Sequence, residues 1–178
     1  MSADGSFRVA DRDRFGRLLD DMARRIVALG EDDLELLGVR RRGVPLAERL
    51  ADRLGDVQDR DVPVQEVVLK RYADDLTLLH DRPELKEEPE LDVDGKSVLV
   101  VDDVLYTGRT LFRAAQIAVA AGADRVRAAV LCSRGTNDVP VTAVVTGLQL
   151  DVGESGVVEV EVPPYEEEPG IRLARKPE

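Results

Sequence analysis

Asp102 and Asp103 stand side by side where the apolar run Val98-Leu99-Val100-Val101 ends, and Val104-Leu105-Tyr106 separates them from Thr107-Gly108-Arg109-Thr110. Two like charges at the end of an oily segment cost folding energy, because each ionised carboxylate makes its neighbour harder to ionise. A pair placed at such a cost points to a ligand. Adjacent carboxylates accept hydrogen bonds from the vicinal hydroxyls of a sugar. Thr107–Thr110 then turns into a helix, and the free N–H groups and positive dipole end found there suit a dianionic phosphate. Gly108 allows a backbone shape closed to other residues and a close ligand approach, and Thr107 and Thr110 add hydroxyl donors. The pattern therefore reads as a ribose held by Asp102 and Asp103, with its 5′-phosphate in the following loop. An acid at a helix N-terminus also suits the dipole, but capping takes one acid and asks for no Thr-Gly-x-Thr.

Other phosphate sites fit less well. The Gly-x4-Gly-Lys-Ser/Thr loop and the Gly-x-Gly-x-x-Gly fingerprint are both missing from the chain. The acid pocket of receiver domains shares "VLVVDD", but there the pair lies on the first strand, whereas here it lies past the middle of the chain. A second candidate is Arg40-Arg41-Arg42-Gly43, behind the apolar stretch Leu34–Val39. Guanidinium groups bind phosphate oxygens bidentately, so three arginines beside a glycine suit a pyrophosphate.

Elements must carry these groups to one place. Phe15, Leu18, Leu19, Met22, Ile26 and Leu29 recur at helical spacing and predict a helix over residues 11–29, stopped at Gly30. Leu34–Val39 reads as a strand, residues 44–55 as a second helix, and 62–70 as a second strand. A long polar stretch follows from Arg71 to Lys96, with an Asp94-Gly95 turn signal. A loop of that length in a compact domain is functional or disordered. Residues 97–103 carry no polar alternation and predict a central parallel strand covered on both faces. A helix over 109–122 and strands over 125–132 and 141–150 complete an alternating pattern. That alternation predicts an α/β fold around a mostly parallel β-sheet flanked by helices. Residues 156–178 read as a small terminal β extension, and "YEEEP" as a solvated run.

The 178 residues suit one domain, 1–178, with residues 1–10 and about 165–178 loosely ordered. The formal net charge of −11 disfavours non-specific contact with nucleic acid or anionic membranes. The N-terminal stretch lacks a signal-peptide core and no apolar run is long enough to span a bilayer, so a cytoplasmic location with no membrane partner is expected. Cys132, the sole cysteine, reads as a small core residue, and the sole histidine, His80, falls in the long polar stretch.

"VLVVDDVLYTGRT" resembles the phosphoribosyl-pyrophosphate (PRPP) motif of type I phosphoribosyltransferases. Its wording is closer still to the PyrR branch, the bifunctional pyrimidine-operon regulators that are also uracil phosphoribosyltransferases. "GVRRRGVPLAERLADRL" resembles that family's pyrophosphate loop and following helix, "RYADDLT" the stretch before its mobile loop, and "AVLCSRGTNDVPV" its Arg-Gly-x-x-x-Leu-Pro-Ile segment. The likeness covers about residues 12–150 and is looser in the tail.

The resemblance implies the type I phosphoribosyltransferase fold with a small hood. It implies Asp102 and Asp103 as the catalytic pair, and Val98 through Thr110 as PRPP motif and 5′-phosphate loop. It implies Arg40, Arg41, Arg42 and Gly43 as pyrophosphate loop, with Arg42 and Gly43 matching best. Arg71, Tyr72, Asp74 and Asp75 would belong to the mobile loop, although Ala73 stands where the family carries an Arg. Tyr106, Arg134 and Gly135 would face the base. Tyr106 replaces an acid common in purine-using relatives and leans the substrate toward uracil. Ser133 to Asn137 depart from the family's Asp-Arg-Gly-His-Arg. Mg²⁺ is implied with PRPP, held by its phosphates and hydroxyls, with Asp102 and Asp103 as indirect metal partners. A homodimer or tetramer is implied as well. RNA binding is the branch's other role; the net charge speaks against it, and Arg24, Arg25, Arg49 and Arg53 are the candidate basic patch.

Overall fold

The computed structural model describes residues 6–69, 90–135, 137–153 and 156–175. The chain order is β1 (Phe7–Ala10), α1 (Arg12–Val27), β2 (Leu34–Val39), α2 (Gly43–Gln58), β3 (Val64–Val67), β4 (Ser97–Leu105), α3 (Arg109–Ala120), β5 (Arg125–Ser133), β6 (Val145–Gln149), β7 (Gly156–Glu161) and β8 (Gly170–Arg175). Five strands form an all-parallel sheet in the order β3-β2-β4-β5-β6, and β1-β8-β7 form a small antiparallel sheet. The α/β fold with a terminal β extension is thus the observed one.

Strand alternation sorts side chains onto the two faces of the large sheet. Leu36, Leu99, Val101, Ala129 and Leu131 pack with α1 and α2. Leu37, Val39, Val98, Val100, Ala128 and Val130 pack with α3. Helices on both faces account for strands apolar at nearly every position. The chain moves outward from β2 through α2 to β3, and the other way from β4 through α3 to β5. Crossovers between parallel strands are right-handed, so reversing direction moves the helix to the other face. The reversal falls between β2 and β4, and a crevice opens beyond the carboxyl ends of strands at such a point.

Several predicted bounds shift. The second helix runs past Gly55 to Gln58, the strand over 62–70 shrinks to Val64–Val67, and that over 141–150 to Val145–Gln149. Residues 7–10, expected to be loose, form β1, because Phe7, Arg8 and Ala10 pair with Leu173, Arg172 and Ile171 and bury Ala10. The end of the chain is likewise ordered through Arg175 by that pairing. Val158, Val160, Val162 and Ile171 of the small sheet join the core on the α1–α2 side, which mounts this sheet on the body. Among the described residues no helix is long and apolar enough to cross a membrane.

Helix α2 starts against β4. A Cβ on Gly43 would lie 2.4 Å from the Val101 carbonyl oxygen and 3.3 Å from the Asp102 Cα. Backbone meets backbone there, so nothing flexible can yield. Gly43→Ala is expected to destabilise the fold by about 1–3 kcal/mol through overpacking. Urea denaturation of the purified variant checks this, and an unchanged midpoint would refute the contact.

Candidate active site

Strand β4 carries the acid pair further inside than its hydropathy suggests. It continues beyond Asp102 and Asp103 to Leu105, with Val104 and Leu105 in register with Cys132 and Ser133. Side-chain alternation holds as far as Val101 and then breaks: Val104 packs on the α1–α2 side and Leu105 on the α3 side. The two adjacent carboxyls accordingly lie near enough to influence one another. Asp102 Oδ1 accepts the Asp103 N–H at 2.9 Å, and Asp103 Oδ1 accepts the Val104 N–H at 2.7 Å.

Asp102 is only 8% exposed. Burial, and then the neighbouring Asp103 charge, hold its carboxyl well above the usual carboxylate range, against the Asp103 N–H. Burial also raises Asp103, opposed by the Val104 N–H, the Asp102 side chain and the Arg42 charge. Like charges this close make each other harder to ionise, so the pair favours a cationic or hydroxyl-rich ligand.

The loop beyond β2 comes to the same place. Helix α2 begins at Gly43 with Arg42 as its N-cap residue, and Gly43 lies on the backbone at Val101 and Asp102. The Arg40–Arg41 peptide is cis. The Arg42 guanidinium pairs with Glu166, which together with Asp103 raises its affinity for its proton. The Arg41 guanidinium lies over the Tyr165 ring, 4.7 Å from its centroid, and Arg40 stands 3.7 Å from Glu66. The "YEEEP" run is therefore not a solvated tail at Tyr165 and Glu166. Nothing in local sequence revealed this, because the contact joins segments 124 positions apart.

Gly108, with φ of +80°, caps α3 without a capping side chain. The N–H groups of Thr110 and Leu111 in its first turn have no intrahelical acceptor. The Arg109 N–H points to Thr107 Oγ1 at 3.4 Å. Residues 138–141 cover this turn: the Asp138 N–H donates to the Thr107 carbonyl at 2.8 Å, and Arg109 pairs with Asp138 at 3.5 Å. A Cβ on Gly108 would lie 3.0 Å from Val139 Cγ2. Asp138 was not foreseen from sequence.

Tyr106 and Arg134 meet at the ends of β4 and β5. The Arg134 guanidinium carbon stands 4.1 Å from the Tyr106 ring centroid, while Tyr106 as a whole remains 40% exposed. Arg134 is buried; its N–H donates to the Leu105 carbonyl and its Nη2 to that of Gly153. Gly135 follows with φ of +76°. Cys132 is buried, and burial followed by the Asp103 charge pushes its thiol up to about 12, so it stays protonated.

Arg71, Tyr72, Asp74 and Asp75 lie outside the described residues, as do Lys70, Ala73, His80 and Thr136. Two further concavities, of about 380 and 780 Å³, sit at the amino ends of β2 and β4 and beside the second half of α2. They lie away from the strand ends where the crevice opens, and their basic groups, Lys96 and Arg60, are already engaged by Glu35, Asp92 and the carbonyls of Glu31 and Asp32.

A five-stranded parallel sheet whose crevice brings an acid pair, a glycine-turned helix start and an arginine loop together defines a class. The chain belongs to the phosphoribosyl transferase domain family, whose model matches residues 8–167. Within that family it falls in the PyrR branch. It is 39% identical over 157 residues to "Bifunctional protein PyrR" of Pelotomaculum thermopropionicum, covering 86% of this chain and 87% of the relative. It is 34% identical over 170 residues to the protein of that name from Clostridium acetobutylicum, covering 93% and 96%. Among solved structures it resembles the hypoxanthine phosphoribosyltransferase of Trypanosoma cruzi, with a TM-score of 0.70 at 17% identity over 96% of this chain and 97% of that one. That likeness concerns the fold.

The acid pair sets a pH dependence. Its folded-state pKa values lie above those of the unfolded chain, so its contribution to stability is fully present below the unfolded values. It is lost as pH rises through the raised ones. Asp102→Asn keeps an oxygen for the Asp103 N–H and removes one buried charge. It is expected to stabilise the protein by roughly 1–3 kcal/mol near neutral pH, with the gain fading toward about pH 4. Denaturant titrations over a pH series test this; a gain that does not vary with pH refutes the assignment.

Proposed function

We propose that this phosphoribosyltransferase transfers the phosphoribosyl group from PRPP to uracil, giving uridine monophosphate and pyrophosphate, with Mg²⁺ bound alongside PRPP. One observation carries the reading. Gly43 seats the arginine loop on the backbone of Asp102, so groups suited to a pyrophosphate and to a ribose adjoin one another. PRPP presents both on one molecule. Asp102 and Asp103 accept hydrogen bonds from the ribose hydroxyls, and Thr107–Thr110 with the start of α3 holds the 5′-phosphate. Arg40, Arg41 and Arg42 hold the pyrophosphate, and Tyr106 with Arg134 and Gly135 borders the base.

The reaction exchanges one bond at C1′ for another: the pyrophosphate oxygen leaves with the bonding pair as a base nitrogen attacks. Positive charge builds on the ribose ring, as in glycoside cleavage. The chain's part is positioning and electrostatics. Arg42 stabilises the charge gathering on the leaving group, and the acid pair fixes the ribose.

The donor set fits Mg²⁺: the adjacent hard-oxygen carboxyls of buried Asp102 and half-buried Asp103, and a substrate with phosphates of its own. Asp102 and Asp103 would hold the ion through hydroxyls or waters; when bound, it neutralises charge on the pyrophosphate. Uracil as the base is supported by the PyrR relatives and by Tyr106 in place of an acid. A homo-oligomer and a cytoplasmic setting belong to the same proposal.

Pyrophosphate release measured with uracil, orotate, hypoxanthine and guanine in parallel tests it. Turnover is expected with uracil, and a loss of at least 100-fold in Asp102→Asn/Asp103→Asn with the fold intact. Turnover with no base, or an unaffected double variant, would falsify the enzymatic reading.

The two functions implied by the relatives' name, "Bifunctional protein PyrR", favour a second reading, an RNA-binding attenuator that senses nucleotide in the same crevice. Its candidate patch is weakened by internal pairing: Arg24 and Arg25 stand 3.5 and 3.9 Å from Asp21, Arg53 lies 2.7 Å from Asp20, and Arg49 reaches the Pro163 carbonyl. Binding to pyrimidine-leader RNA is expected to be weak and steeply salt-dependent. Its absence even at low salt ends this reading.

A further inference from the structure

Each arginine of the crevice loop meets a partner that the protein itself supplies. Arg40 has Glu66, Arg41 has the Tyr165 ring and Arg42 has Glu166. Tyr165 and Glu166 are neighbours on the β7–β8 connection of the small sheet. Glu166 meets Arg42 through Nε and Nη2, an edge of the guanidinium that clasps a carboxylate or a phosphate bidentately. Glu166 Oε2 also accepts the Val162 N–H at 2.7 Å, and the Tyr165 N–H donates to the Val162 carbonyl at 3.0 Å. The corner is therefore a folded part of the hairpin. Yet the Arg42 and Glu166 side chains remain 39% and 26% exposed, so the pair can open without unfolding.

Resting on the reading of Arg40–Arg42 as the pyrophosphate loop, we propose that the Tyr165-Glu166 corner is a latch that occupies this loop in the ligand-free protein and is displaced by the pyrophosphate group of the substrate. The carboxylate and a phosphate claim the same edge of Arg42, so the two states exclude one another. A pyrophosphate brings more charge and more acceptor oxygens and wins when present, but its net affinity is lowered by the contact it replaces. Release of the latch frees the small sheet's corner each time the crevice fills. A carboxylate that merely held Arg42 in place would do the opposite: its loss would weaken binding.

Calorimetric titration of the full chain with inorganic pyrophosphate and Mg²⁺ separates the signs. Glu166→Gln keeps an oxygen for the Val162 N–H and removes the charge. It is expected to bind pyrophosphate about 2- to 5-fold more tightly than the wild type, the range of a part-exposed ion pair. Tyr165→Ala is expected to shift affinity the same way by less. In an Arg42→Ala background Glu166→Gln is expected to add nothing. Unchanged or weaker binding by Glu166→Gln overturns the latch, while Arg42-dependent binding in the same series leaves the loop reading standing. Pyrophosphate binding indifferent to Arg42→Ala overturns both. Circular dichroism of each variant excludes misfolding as the cause.

Discussion

Two carboxyls side by side at the end of the central strand are the constraint around which the rest of the molecule is arranged. Asp102 sits in register with Val130 of β5, and Cys132 beyond it is buried too, so Asp102 is shielded from bulk water while Asp103 stays half-buried. A pair in that position is made tolerable by backbone donors and a neighbouring cation. The structure supplies both, in the N–H groups of Asp103 and Val104 and the Arg42 charge. Each support comes from a different level of the fold, and so the site and the topology cannot be separated.

Topology delivers the cation. Right-handed crossovers that run both ways from the β2–β4 boundary place α2 and α3 on opposite faces of the sheet. Their N-termini nevertheless both start at its carboxyl edge, one after Arg42 and the other after Gly108. Two helix dipoles and two loops thereby face one crevice, and glycine permits both close approaches. At Gly43 the limit is the β4 backbone; at Gly108 it is a positive φ beneath Val139. Burial of the apolar faces of α1 and α2 beneath the sheet makes this edge rigid, which positions charges without further ordering when a ligand arrives.

Much of this was legible in the residues because it is local. An apolar run without alternation marked β4 as covered on both faces, short apolar stretches marked β2 and β5 as strands, helical spacing marked α1, and an acid pair ahead of Thr-Gly-Arg-Thr marked a strand leading through a glycine turn into a helix start. What stayed hidden is long-range. β1 has four residues and exists because β8 pairs with it, while Tyr165 and Glu166 matter only through the distant arginine loop. Asp138 is similar, an ordinary loop acid until its N–H and carboxylate close over Thr107 and Arg109. The acid pair was read as the end of its strand, whereas β4 runs on to Leu105 and its side-chain alternation breaks between Val101 and Val104.

The chain as a whole carries −11, yet its crevice is suited to a ligand with several negative charges. Screening reconciles the two. At physiological salt, charges more than about 8 Å apart across solvent hardly feel each other, so affinity is decided within the crevice. There the contributors are directed and short-range: guanidinium forks, uncapped N–H groups at α3, and carboxyls that accept hydrogen bonds from hydroxyls. Outside the crevice, Asp20 and Asp21 pair with Arg53, Arg24 and Arg25, which lowers the local excess of positive charge there. The same balance explains why the arginine loop is partnered from within: three guanidinium groups left open at this edge would draw anions indiscriminately, whereas arginines held by Glu66, Tyr165 and Glu166 yield only to a ligand that offers more.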